Sequence, residues 1–165
     1  SGPAGALADK TGPGILIAIG SAMVALAYGI LAVGINFNSF WFHILPSIVV
    51  MALGMALVVA PLSAAVMGSI EDEDTGTASG VNNAVSRVAG LVAVAAMGGL
   101  AAWRYGMFGS PGDFGLPFDG AEQDLHQRAS NSAMAAVAWF AAGMSALAAL
   151  LALFGLPKPA DTSVS

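Results

Sequence analysis

Cysteine is missing from this 165-residue chain, and charge is scarce: Asp, Glu, Lys and Arg make up 9% of the residues, against roughly 25% in an ordinary soluble domain. Without cysteine there is no disulfide framework, no thiolate nucleophile and no cysteine metal site. Only five residues are Lys or Arg, against ten Asp or Glu, and the net charge is −5. That balance offers no basic surface to a phosphate backbone and no polybasic patch to anionic lipid, which argues against nucleic acid as a partner. The sequence also lacks a His-Glu-x-x-His motif, a serine elbow and a glycine-rich phosphate loop between a strand and a helix, so we expect no enzyme, no metal site and no cofactor. What is abundant is apolar: 57% of the residues are hydrophobic and the mean hydropathy is +0.79. A soluble domain of this length needs polar residues to cover its surface, so the composition points to a lipid-embedded, all-α polytopic membrane protein.

Residues 11–70 contain no Asp, Glu, Lys or Arg, which leaves room for two membrane spans. We place them at 14–34 and 42–70, separated by the polar turn of Asn36, Asn38 and Ser39, with Trp41 and Phe42 as interfacial anchors and the run Glu71 to Asp74 as a stop. A third span is expected at 78–103 and a fourth at 130–155. Between them, 104–129 is rich in glycine and charge and reads as an exposed loop, with a short surface helix at 120–127. The tail 157–165 reads as disordered. Four spans put both chain ends and the 71–77 loop on one side. Lys10 and Lys158 there balance Arg104 and Arg128 opposite, so charge bias alone does not orient the chain.

Small residues recur at four-residue spacing. Ala52, Ala56, Ala60, Ala64 and Gly68 form one stripe in the second span, and Ala138, Ala142 and Ala146 form another in the fourth. In lipid such stripes let backbones approach closely enough for dispersion to hold a bundle, and we read them as packing faces. Pro61, inside the second span, removes a donor and crowds the turn before it, which predicts a bend that is either a hinge or a static fit. His43 lies near the mouth of that helix, either as a proton sensor or as a neutral, hydrogen-bonded interfacial group.

Arg87 is the most informative position. About ten residues into the third span it is expected near the middle of the hydrocarbon, where a guanidinium that cannot shed its charge must face protein or water. Asn83 lies one turn away and Asn82 beside it. Gly76, Gly80, Ala84 and Gly90 leave room for a neighbouring helix. Arg87 is therefore either a transport or gating group or an anchor bonded to carbonyls of an adjacent helix. No carboxylate accompanies it within a span, so a coupling carboxylate would have to come from outside these residues. Near the start, Gly5-Ala-Leu-Ala-Asp9-Lys10-Thr-Gly12 places Asp9 before a glycine turn, where it can accept from the N–H groups of a helix N-terminus.

Together these stretches resemble a family. Gly5 to Gly12 looks like the loop signature of the major facilitator superfamily in its second, C-terminal copy. Pro61-Leu-Ser-Ala-Ala-Val and Gly76-Thr-Ala-Ser-Gly80-Val-Asn82-Asn83-Ala-Val-Ser-Arg87-Val-Ala-Gly90 look like the penultimate-helix region of its fourteen-helix drug:proton antiporter branch, the EmrB/QacA type. The resemblance covers nearly the whole chain and implies the last four transmembrane helices of such a transporter, with Ser1 to Leu7 ending the helix before them, and so a piece of a longer protein. It implies a cell-membrane location with the chain ends and the 71–77 loop cytoplasmic, and a latch through Asp9. The basic residues usual after the glycine are replaced by Pro13 and Gly14, which weakens that latch.

The expected function is part of a secondary active transporter carrying out proton-coupled efflux of small organic compounds by alternating access. Its partners would be the lipid bilayer, the remaining transmembrane helices, the organic substrate and protons. The alternatives are a self-contained four-span oligomeric exporter or channel, and an accessory structural membrane subunit.

Overall fold

The computed structural model describes residues 13–35, 37, 40–68, 75–110 and 112–155. Asp9, Lys10, the 69–74 connection and the 157–165 tail lie outside the described residues. The described residues form four long helices and no strand: α1 Pro13–Gly34, α2 Leu45–Gly68, α3 Thr75–Gly106 and α4 Gln123–Gly155. A π-helical turn, Phe40–Ile44, leads into α2. All four helices are long and apolar enough to cross a membrane.

The ends of these helices follow from local chemistry. Pro13 opens α1 at a position whose N–H has no helical partner in any case, so its missing donor costs nothing. Arg104 in the last turn of α3 and Asp124 in the first turn of α4 each face the helix-dipole end that favours their charge. The 32 residues of α3 and 33 of α4 extend to about 48–50 Å, well beyond a hydrocarbon layer of roughly 30 Å. The expected loop 104–129 is accordingly shorter, with 107–122 between the helices, and the surface helix expected at 120–127 is the first part of α4. Charge marks where lipid ends, whereas backbone hydrogen bonding continues past it wherever residues such as Gln123, Leu125 and Gln127 permit. The second span likewise becomes α-helical at Leu45 rather than at 42, after the π-helical turn.

α1 is the centre of the assembly and packs along both α2 and α4, whereas α3 meets α4 through its C-terminal half and barely touches α2. The closest approach is at two glycines. A Cβ at Gly20 would stand 2.6 Å from the carbonyl oxygen of Gly54, and one at Gly54 would stand 2.7 Å from that of Gly20. Here α1 and α2 touch backbone to backbone, the geometry that gives the most dispersion contact per residue between helices in lipid. Farther along the pair, Val58 packs on Ile17 and Ala18 together with Ala152 of α4.

The packing face of α2 is therefore Ser47, Gly54 and Pro61, all buried and seven residues apart. Ala52 and Ala56 of the expected stripe are exposed instead; the side chains of Ala60, Ala64 and Gly68 lie outside the described residues. Helical structure continues on both sides of Pro61. In α4, Ala138 and Ala142 are buried as a packing face, but the stripe continues through Ala149 and Ala152, and Ala146 is exposed. The spacings of four, seven and three average 3.5 residues per turn, which keeps the seam facing its neighbour better than a strict four-residue repeat does. A second cluster joins α3 to α4, where Ala101 and Tyr105 cover the fully buried Ala129 and Ala133.

Candidate functional site

Among the described residues, those of α1, α3 and α4 line a cavity of about 770 Å³ that is open where α1 and α3 do not meet. α1 contributes Tyr28 and Leu31, α3 contributes Val94, Met97, Gly98 and Ala101, and α4 contributes Asn131, Met134, Val137 and Ala138. Phe37 and Ile44 from the first connection and Phe114 from the second meet at its outer end. No charged side chain lines it among the described residues. The polar side chains are the Tyr28 phenol and the Asn131 amide, set among aromatic rings and two polarisable methionines. Its volume and lining are those of a small-molecule site: mostly apolar, with a few polar groups to orient the guest.

The outer end is marked by aromatic residues. Trp41, Phe42 and Trp103 are strongly exposed there, and the Arg104 guanidinium lies over the ring of Phe108, 5.5 Å from its centre. Exposed tryptophan beside a stacked arginine is the chemistry of a membrane–water interface. Trp103 and Arg87 are sixteen residues apart on α3, about 24 Å along the helix, so the two cannot both lie at the middle of a roughly 30 Å layer.

Arg87 shares a face of α3 with the cavity. At about 100° per residue, Gly76, Gly80, Asn83, Val94, Gly98, Ala101 and Tyr105 all lie within about 40° of it, and Gly90 and Ala84 within about 60°. Asn82 points about 140° away, so of the two asparagines only Asn83 belongs with Arg87. This part of the helix is little covered among the described residues: the side chains described in 76–92 are all exposed, and a Cβ at Gly76, Gly80 or Gly90 would meet no atom within 4 Å. The packing role expected of Gly76, Gly80, Ala84 and Gly90 is not exercised within the described residues. Asp9 lies outside them, and Pro61 is buried in α2 away from this face.

Two features were not visible in the sequence. His43 is stacked on Phe37 with ring centres 5.1 Å apart, over Gly34, and its buried Nδ1 has no hydrogen-bond partner among the described residues. At the outer end, the hydroxyl of Tyr105 is hydrogen-bonded to Nδ1 of His126 at 2.7 Å, and Nε2 of His126 lies 3.0 Å from the Leu116 carbonyl. A carbonyl only accepts, so Nε2 carries a proton and donates to it. The two residues are 21 positions apart across a glycine-rich connection, and no periodicity links them. Compared with protein-family models, curated proteins and solved structures, the chain matches none of them.

Proposed function

We propose that this chain is part of a secondary active transporter that exports small organic, drug-like compounds in exchange for protons by alternating access, in the manner of the major facilitator drug:proton antiporters that its motifs resemble. The observation that supports this reading best is the composition of one face of α3. It carries Asn83 and Arg87 toward one end, the cavity wall of Val94, Gly98 and Ala101 farther along, and Tyr105 toward the other end. A fixed charge at one end of a face and an apolar, uncharged cavity farther along it form a path for an amphipathic solute, with Arg87 available to hold a coupling carboxylate from the remaining helices. The exposed N-terminal half of α3 and the exposed Ala52 and Ala56 are surfaces on which those helices would pack. The same reading places the protein in the cell membrane with the 71–77 loop and the chain ends cytoplasmic, and gives Asp9 a part in a surface latch.

The decisive experiment separates charge from geometry at Arg87. Lysine keeps the charge without the planar fork, and glutamine keeps hydrogen bonding without the charge. In reconstituted vesicles at equal protein abundance, Arg87→Lys is expected to retain part of the proton-driven flux of an uncharged dye and Arg87→Gln to lose it. Undiminished flux in the glutamine variant would remove Arg87 from the mechanism. The open face of α3 also suits a second copy of the chain, as in a four-span oligomeric exporter. A native reading frame with further spans upstream would favour the first reading, and one without them the second.

A further inference from the structure

The 107–122 connection reaches the cavity through Phe114, and glycines shape its described part. Gly112 and Gly115 have φ of +86° and +84°, left-handed values that side-chain-bearing residues adopt at a cost, so the chain turns sharply on either side of Phe114. Phe114 is the residue that this connection contributes to the cavity lining. Burial of apolar surface holds the segment only through the rings of Phe114, 37% exposed, and Phe118, since the other residues of 112–117 are exposed.

Two side chains at the helix ends hold it. Tyr105, 6% exposed, places its hydroxyl 2.7 Å from Nδ1 of His126 and 3.3 Å from the Gly112 carbonyl, and meets the Phe114 ring at 5.8 Å. His126, 8% exposed, bonds the Leu116 carbonyl and stacks on Phe118 at 5.4 Å. The bond between Tyr105 and His126 ties these two grips together. The segment therefore depends on a few polar and ring contacts, each worth little in water, while the helices on either side are packed.

We propose that residues 112–118 are a lid over the aqueous mouth of the cavity and that the Tyr105–His126 pair is the clasp that keeps it closed, controlling passage of solute between cavity and water. What passes beneath the lid rests on the transport reading. The lid itself does not.

The absence of native cysteine gives a clean test. Val137 lines the cavity and is partly buried, so Val137→Cys reports access to it. Ser21→Cys, buried on α1, reports loosening of the whole bundle. The reagent is a charged methanethiosulfonate applied to open membrane sheets, where it reaches both faces. Tyr105→Phe removes one hydroxyl and keeps the ring on Ala129 and Ala133, and it is expected to speed modification of the cysteine at 137 by about two- to tenfold, the change in open population from losing one such bond. His126→Ala, which loses both grips, is expected to speed it further. Modification at 21 is expected to stay constant in both. An unchanged rate at 137 in Tyr105→Phe, or an equal rise at 21, overturns the lid. Proton-driven flux with no effect of the clasp on labelling would discard the lid and leave the transporter; a working clasp in a protein without flux would do the reverse.

Discussion

Gly20 and Gly54 show how a single absent methyl group can decide whether two helices meet. Each added Cβ would fall within 2.7 Å of a backbone carbonyl oxygen, and no rotamer change moves a backbone atom away. Gly20→Ala must therefore push α1 and α2 apart along their length and weaken the contact of Val58 with Ile17 and Ala18 as well. Overpacking of this kind costs on the order of 1–3 kcal/mol. Gly99 is the matching control, since a Cβ there meets nothing within 4 Å. Gly99→Ala gains helix propensity, up to about 1 kcal/mol. Thermal unfolding in detergent is expected to shift down for Gly20→Ala and to stay level or rise for Gly99→Ala. Equal shifts would mean that the Gly20–Gly54 crossing carries no special share of the stability.

At the scale of elements, sequence and structure agree where the physics belongs to one segment alone. Residues 11–70 without formal charge announce two spans because burying charge is costly whatever the neighbours are. The ends of α3 and α4 were not legible in the same way. Arg104, Gln123 and Asp124 end the lipid-compatible run, but a helix satisfies its own backbone in water too, and the burial of His126 and Ala129 against α3 extends α4 two turns outward. Packing faces were harder still. α2 is apolar on every side, so Ala52–Ala56 and Ser47–Gly54–Pro61 are equally good seams by periodicity, and only the position of α1 selects between them. On α3, by contrast, Arg87 and Asn83 stand out from an apolar background, and their common face could be read from spacing. Spacing alone does not set the depth of Arg87, because α3 is longer than the layer it would cross. Tyr105 and His126 gave no signal at all: their partnership is made by the path of the connection between them, and tyrosine and histidine near a helix end are ordinary residues.

For the whole molecule, the cavity settles which ends lie together. Gly34 and Ile35 at the end of α1, Ile44 before α2, Ala101 near the end of α3 and Asn131 near the start of α4 all line it, so the 35–44 and 107–122 connections occupy one side of the layer and the start of α3 the other. This arrangement fixes the relation of the two sides without saying which faces the cell interior. The tie in Lys and Arg between the sides removes the usual guide. The proposed transport reading predicts a direction, with the lid side outward, and the cysteine-free background makes it measurable. Asp119, exposed on the lid side, and Thr77, exposed in the first turn of α3, are each suited to replacement by cysteine. A membrane-impermeant thiol reagent added to intact cells is expected to modify Asp119→Cys and to leave Thr77→Cys unmodified until the membrane is opened. The reverse pattern would invert the orientation, placing the lid toward the cytoplasm and the Arg87 end of α3 outward. A solute would then meet the clasp on entry from the cell rather than on release, and the lid would act as the loading gate of an exporter instead of its exit.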